Sequence, residues 1–128
     1  MVAGREDGLV QRTILVVDDD QSVRTIVSMA LELEGYAVLT AGDVEQGFAA
    51  GAAHDATIDL LVVDLTLEGG GASALVERLA ASGRSLPVLF VSGYPDPSDL
   101  PAGEPCLFLA KPFTPEELAA AVEQLLAG

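Results

Sequence analysis

Four carboxylates, one hydroxyl and one ammonium stand in this chain where they could act together. Asp18, Asp19 and Asp20 follow the apolar run Ile14–Val17, and Asp64 follows Leu60–Val63. Ser92 follows Val88–Val91, and Lys111 follows Cys106–Ala110. Three carboxylates held within a few ångströms repel one another, so a proton or a cation must accompany them. An all-oxygen set without His or Cys is a hard-cation site, and a small one suits Mg²⁺ that keeps several waters. Lys111 adds a point positive charge able to pair with a carboxylate or a phosphoryl oxygen. Ser92 adds a short hydroxyl donor. A carboxylate nucleophile, a metal, a lysine and a hydroxyl meet the needs of phosphoryl transfer: an acceptor oxygen, and neutralisation of three equatorial oxygens.

Each of these residues has a plainer reading alone. An Asp after an apolar run commonly caps a helix or a turn, a Lys before Pro is commonly solvated, and Ser before Gly commonly marks a turn. The signal lies in their order at the ends of successive strands.

Those strands are legible from periodicity. Ile14–Val17 is a short continuous apolar run, the mark of a strand covered on both faces. From Gln21 the spacing turns helical, with Val23, Ile26, Val27, Ala30 and Leu31 on one face, Asp20 as N-cap and Gly35 as stop. Tyr36–Ala41 reads as a second strand. Asp43 and Gln46 have capping-box spacing and open a second helix, which Gly47 and Gly51 weaken. Asp59–Asp64 is a third strand. Gly69–Gly71 is a loose segment before a helix carrying Leu75, Val76 and Leu79. Leu86–Val91 is a fourth strand. The stretch 94–105 holds Pro95, Pro97, Pro101 and Pro105 and supports at most a short helix. Cys106–Ala110 is a fifth strand. The last helix has Thr114 as N-cap, Pro115 at its first position, Glu117 completing a capping box, and an apolar stripe of Leu118, Ala121, Val122, Leu125 and Leu126.

Short apolar strands alternating with amphipathic helices predict an α/β fold, a parallel sheet with helices on both faces. In such sheets functional groups gather beyond the C-terminal strand ends. Asp59 begins its strand roughly 16 Å from Asp64 at ~3.3 Å per residue, so it is expected at the opposite edge, in solvent.

The chain has 128 residues, half of them hydrophobic, which predicts one globular domain after a polar lead-in at 1–12. Six basic against twenty acidic residues give a formal charge of −14. Such a surface repels nucleic acid and anionic lipid and favours cations and basic partners. The single Cys106 suits a reducing cytoplasm and reads as an inert core thiol. His54 reads as a surface histidine. The first residues carry no apolar stretch of the secretory kind, so no signal peptide is expected, and no apolar run reaches the ~20 residues a membrane-spanning helix requires; a cytoplasmic location is expected.

Over about residues 13–127 the chain resembles the receiver domain of bacterial two-component response regulators. The resemblance rests on Ile14-Leu-Val-Val-Asp-Asp-Asp20, Asp59-Leu-Leu-Val-Val-Asp64, Val91-Ser-Gly-Tyr94 and Lys111-Pro-Phe113. It implies a doubly wound, flavodoxin-like sheet of five parallel strands in the order 2-1-3-4-5 and a domain filling 13–128. It implies that Asp64 accepts phosphate from a histidine kinase or a histidine phosphotransfer protein. Asp19 and Asp64 would ligate Mg²⁺ with the backbone carbonyl of Thr66, and Asp18 would act through metal-bound water. Ser92 would be the switch hydroxyl, Lys111 the lysine that binds phosphate, and Phe108 the aromatic that changes rotamer. The Lys111–Pro112 bond is expected to be cis.

The chain departs from that family in three places. Glu68-Gly-Gly-Gly-Ala72 replaces the usual proline and glycine of the loop after Asp64, which bears on kinase docking. The Pro-rich interval before strand five implies that the family's fourth helix is short or missing, and with it a customary output surface. Thr66 and Tyr94 stand at positions that tune dephosphorylation. Only Ala127–Gly128 follows the last helix, so output is expected through protein contacts or phosphate relay, from a free-standing chain or a receiver of a hybrid kinase. The protein is expected not to be an enzyme beyond its own phosphorylation and dephosphorylation. An aspartate-nucleophile phosphatase of the haloacid dehalogenase type would need a second acid where Thr66 stands. A phosphorylation-independent interaction module is the other alternative.

Overall fold

The computed structural model describes residues 11–53, 58–67, 71–83, 86–93 and 106–127. The expectations for residues 1–10 of the lead-in, His54, Glu68–Gly70, Tyr94 and the short helix between strands four and five lie outside them.

Among the described residues nine elements follow one another: β1 (Thr13–Val17), α1 (Gln21–Leu33), β2 (Ala37–Ala41), α2 (Val44–Ala53), β3 (Ile58–Asp64), α3 (Gly71–Ala81), β4 (Val88–Ser92), β5 (Cys106–Ala110) and α4 (Pro115–Ala127). The strands form one parallel sheet in the order β2-β1-β3-β4-β5, the expected 2-1-3-4-5. Alternate residues of the buried strands feed two cores. Leu15, Val17, Leu61, Val63 and Phe90 pack with Leu75 and Leu79 of α3 and Phe48 of α2. Ile14, Val16, Leu60, Val62 and Leu89 pack with Val27 and Leu31 of α1 and Leu118 and Val122 of α4. A strand with apolar residues on both faces needs a helix layer on each side, and this sheet has both.

The caps agree with the sequence. Asp20 accepts from the N–H groups of Ser22 and Val23 at the start of α1, and Gly35 takes φ +97° after its end. Thr114 and Glu117 exchange N–H contacts of 2.9 and 3.0 Å at α4. At α2 the box is displaced: Asp43 accepts from the Gln46 N–H, while the Gln46 side chain reaches the N–H of Gly42.

Three expectations need correction. Asp59 is half-buried rather than in solvent, and its Oδ2 accepts from the N–H of Thr13 at 2.8 Å. The register between β1 and β3 slips between Thr13 and Ile14, and the carboxylate meets the amide beside that irregularity. Gly47 and Gly51 do not break α2; both are buried, and a Cβ on them would stand 3.1 Å and 2.7 Å from the methyls of Leu75 and Leu79. They let α2 approach α3 closely. Ile26 is 63% exposed, because Val27 and Leu31 centre the buried stripe of α1 and leave Ile26 on its flank, in line with exposed Met29 and Leu33. Among the described residues, no helix is long and apolar enough to cross a membrane.

Candidate functional site

Parallel strands end together, so the residue after each of them is brought to one edge. Beyond β1, the N–H of Asp18 donates to the carbonyl of Ala41 and extends the pairing with β2. Beyond β3 the N–H of Leu65 donates to Val91, and beyond β5 the N–H of Lys111 donates to Ser92. The ladder thus carries Asp18, Asp64, Ser92 and Lys111 to the same place. Asp18, Asp64 and Ser92 are buried, Asp19 is exposed, and Lys111 is half-buried.

Lys111 Nζ lies 2.7 Å from Asp64 Oδ2 and 3.3 Å from Asp18 Oδ2. It is the only lysine in the chain. The remaining oxygen of each carboxylate is also engaged. Asp64 Oδ1 accepts from the N–H of Thr66 at 2.8 Å and from its hydroxyl at 2.7 Å. Asp18 Oδ1 accepts from the N–H of Asp20 at 2.9 Å.

These contacts separate the two acids. Burial pushes the Asp18 carboxyl above the usual carboxylate value, and the charge of Asp64 adds to that, against the lowering effect of the Asp20 N–H and Lys111. Burial acts on Asp64 in the same direction, but the Lys111 ammonium and the two Thr66 donors outweigh it and hold Asp64 below the usual value. Burial alone would lower Lys111; its pairing with Asp64 and Asp18 holds it above the ordinary lysine value. Of the two acids, Asp64 is therefore the one whose ionised form its surroundings favour.

Asp18, Asp19 and Asp64 each offer a carboxylate oxygen, all within 4.8 Å of one another. Three hard oxygens at that separation, two of them buried, fit a small divalent cation. Ser92 ends β4 beside this cluster. Phe108 lies on β5 opposite Phe90, half-buried against the core that α2 and α3 cover. Thr66 sits in the turn after β3, where its hydroxyl meets the acid two residues earlier, a contact that its place in the sequence does not reveal. Cys106 is a half-buried free thiol packed on the same core. The Lys111–Pro112 peptide is cis.

Arg24 joins this edge although no motif in the sequence assigns it there. Its Nη1 donates to the carbonyl of Asp18 at 2.6 Å. A signal existed: a cation in the first turns of a helix opposes the helix dipole, so an arginine there invites a search for a specific partner.

The family model for the response regulator receiver domain matches residues 14–123. The chain is 33% identical over 117 residues to a probable transcriptional regulatory protein, TcrX, of Mycobacterium tuberculosis, covering 89% of this chain and 49% of that protein. It spans about half the length of the first curated relatives it matches. The receiver domain of the hybrid histidine kinase CckA superposes with TM-score 0.76 at 32% identity, over 89% of this chain and 98% of that one. The chemotaxis response regulator CheY4 of Vibrio cholerae gives TM-score 0.80 at 28% identity, over 91% and 100%.

Proposed function

The chain belongs to the response regulator receiver domain family, and we propose that it is a Mg²⁺-dependent phosphate-accepting switch in a two-component relay, with Asp64 as acceptor. The observation that carries this reading is the convergence of Lys111 on Asp64 at 2.7 Å, beside three carboxylate oxygens within 4.8 Å.

The donor is a phosphohistidine of a histidine kinase or phosphotransfer protein. An oxygen of Asp64 attacks its phosphorus; the O–P bond forms, the P–N bond breaks, and the electron pair leaves on the imidazole nitrogen. Asp64 needs no general base, because Lys111 and Thr66 already favour its ionised form. Asp18, Asp19, Asp64 and the Thr66 carbonyl would hold Mg²⁺, Asp18 through water. When bound, the ion supplies positive charge against the carboxylates and the incoming phosphoryl oxygens.

Lys111 and Ser92 take up oxygens of the new acyl phosphate. Lys111 turns from a carboxylate oxygen toward a phosphoryl oxygen, Ser92 draws the end of β4 inward, and Phe108 rotates into the space left behind. The altered face of β4, β5 and α4 then meets a protein partner. In this reading the protein transforms no separate substrate, acts in the cytoplasm, and contacts neither nucleic acid nor membrane directly, in keeping with its charge of −14.

Acetyl phosphate with Mg²⁺ tests the acceptor by intact mass. A phosphate-sized gain in the wild type, absent from Asp64→Asn and from samples with excess chelator, is expected. No gain in the wild type, together with no Mg²⁺ binding, would leave a phosphorylation-independent interaction module.

A further inference from the structure

Every polar backbone atom of Asp18 is tied down. Its N–H donates to Ala41 on β2, and its carbonyl accepts from Arg24 Nη1 on α1 at 2.6 Å. The carbonyl belongs to the planar peptide that carries the N–H and Cα of Asp19. Fixing that oxygen fixes the plane from which the exposed Asp19 side chain projects. The other flank of the guanidinium is the β2–α2 turn: a Cβ on Gly42 would stand 3.2 Å from Arg24 Nη1 and 3.6 Å from its Cζ. Gly42 is itself held, its N–H donating to Gln46 at 2.9 Å. Arg24 is thus set between α1, the β1–α1 loop and a turn whose lack of a side chain leaves it room. It holds this place against the dipole of its own helix.

We infer that Arg24 is a positioning residue: through the Asp18 carbonyl it orients the Asp18–Asp19 peptide so that both carboxylates face the divalent cation. The role rests on the cation-dependent function proposed for the same site. Gly42 belongs to the same device, because a methyl there crowds the guanidinium, which must give by a few tenths of an ångström, and neither acid is among its nearest neighbours.

Electrostatics alone predicts the opposite sign. Arg24 brings a positive charge near a cation site, so removing that charge without disturbing geometry would tighten Mg²⁺ binding. A merely structural brace would lower the melting temperature and leave Mg²⁺ affinity as it was. Positioning alone weakens the affinity.

Magnesium alone, titrated by calorimetry at fixed ionic strength, separates these cases. Arg24→Met is expected to weaken Mg²⁺ binding about tenfold, in the range that loss of a residue supporting metal ligands commonly costs. Arg24→Lys, which keeps one donor, is expected to recover part of the loss, and Gly42→Ala to weaken binding severalfold. At saturating Mg²⁺, phosphorylation of Arg24→Met by acetyl phosphate should return close to the wild-type rate. Unchanged or tighter Mg²⁺ binding in folded Arg24→Met would overturn the inference. If that variant does not fold, unchanged affinity in both Arg24→Lys and Gly42→Ala overturns it instead. A wild type that binds no Mg²⁺ would remove the proposed cation dependence and this inference together, whereas a wild type that binds beside unaffected variants removes this inference alone.

Discussion

Lys111 Nζ and Asp64 Oδ2 are 2.7 Å apart, and the same ammonium lies 3.3 Å from Asp18 Oδ2. One cation thus spans two buried acids on strands that the sheet makes neighbours. The arrangement keeps Asp64 ionised while leaving Asp18 above its ordinary value. It also occupies, before any phosphate arrives, an oxygen of the residue proposed to receive it.

That pairing gives a pH signature. Lys111 has a folded pKa raised above 10.5, so its contribution is complete below the unfolded value and is lost as pH rises through the folded one. Asp64 is lowered below 3.8, so its contribution is present above that value and is lost as pH falls through the folded pKa. Lys111→Met is expected to cost about 1–3 kcal/mol between about pH 5 and pH 9, less than a fully buried pair because the lysine is partly solvated. Urea unfolding across that range should show a constant difference that shrinks above pH 10.5. A difference that grows with alkalinity would contradict the pairing.

Asp18 behaves oppositely. Its folded pKa is raised above 3.8, so the folded state binds its proton more tightly, and stability falls as pH rises through that raised value. Asp18→Asn should flatten this limb and raise stability at pH 7 without added cation by about 1 kcal/mol or less. The same substitution should weaken Mg²⁺ binding at least about tenfold by removing a carboxylate from the cluster. Chemical unfolding with and without Mg²⁺ measures both, and a variant that is less stable without the ion would count against the argument.

Thr66 donates twice to Asp64 Oδ1. Thr66→Val removes the hydroxyl and keeps the N–H, so the Asp64 pKa should rise from its lowered value, and stability should fall by about 0.5–1 kcal/mol. Carbon-13 titration of the aspartate carboxyl signals reads the shift directly. An Asp64 signal that titrates unchanged would show that the hydroxyl contributes nothing there.

The close approach of Val44 on α2 and of Leu67 to the first residue of α3 has its own test. A Cβ at Gly71 would stand 2.6 Å from Val44 Cγ2 and 3.0 Å from Leu67 Cβ, the second of which cannot rotate away. Gly71→Ala is expected to destabilise by about 1–3 kcal/mol, the usual cost of overpacking. Thermal unfolding within error of wild type would mean that Val44 and Leu67 yield freely.

Much of this molecule is legible in its sequence because the relevant information is local. Ile14–Val17 before Asp18, and Leu60–Val63 before Asp64, announce strands that deliver acids to one edge. Thr114, Pro115 and Glu117 announce a helix start. What the sequence does not announce depends on distant neighbours. Gly47 and Gly51 look like helix breakers until Leu75 and Leu79, on the neighbouring helix, are found against them. Asp59 looks solvated until a register slip brings the Thr13 amide to it. Arg24, which no motif assigns, is set on the Asp18 carbonyl by the turn of α1. Ile26 differs from the buried stripe by a small rotation about the helix, which periodicity alone resolves poorly.

The central claim is that Asp64, and neither acid of the β1–α1 loop, forms the acyl phosphate. Borohydride reduces an aspartyl phosphate to homoserine, so the acceptor is recorded in the covalent structure. The protein is treated with acetyl phosphate and Mg²⁺, reduced, digested and sequenced by mass spectrometry. Homoserine at position 64, and only when phosphodonor and Mg²⁺ are both present, is the predicted result. Homoserine at position 18 or 19, or none at all in protein that has gained phosphate, would contradict it.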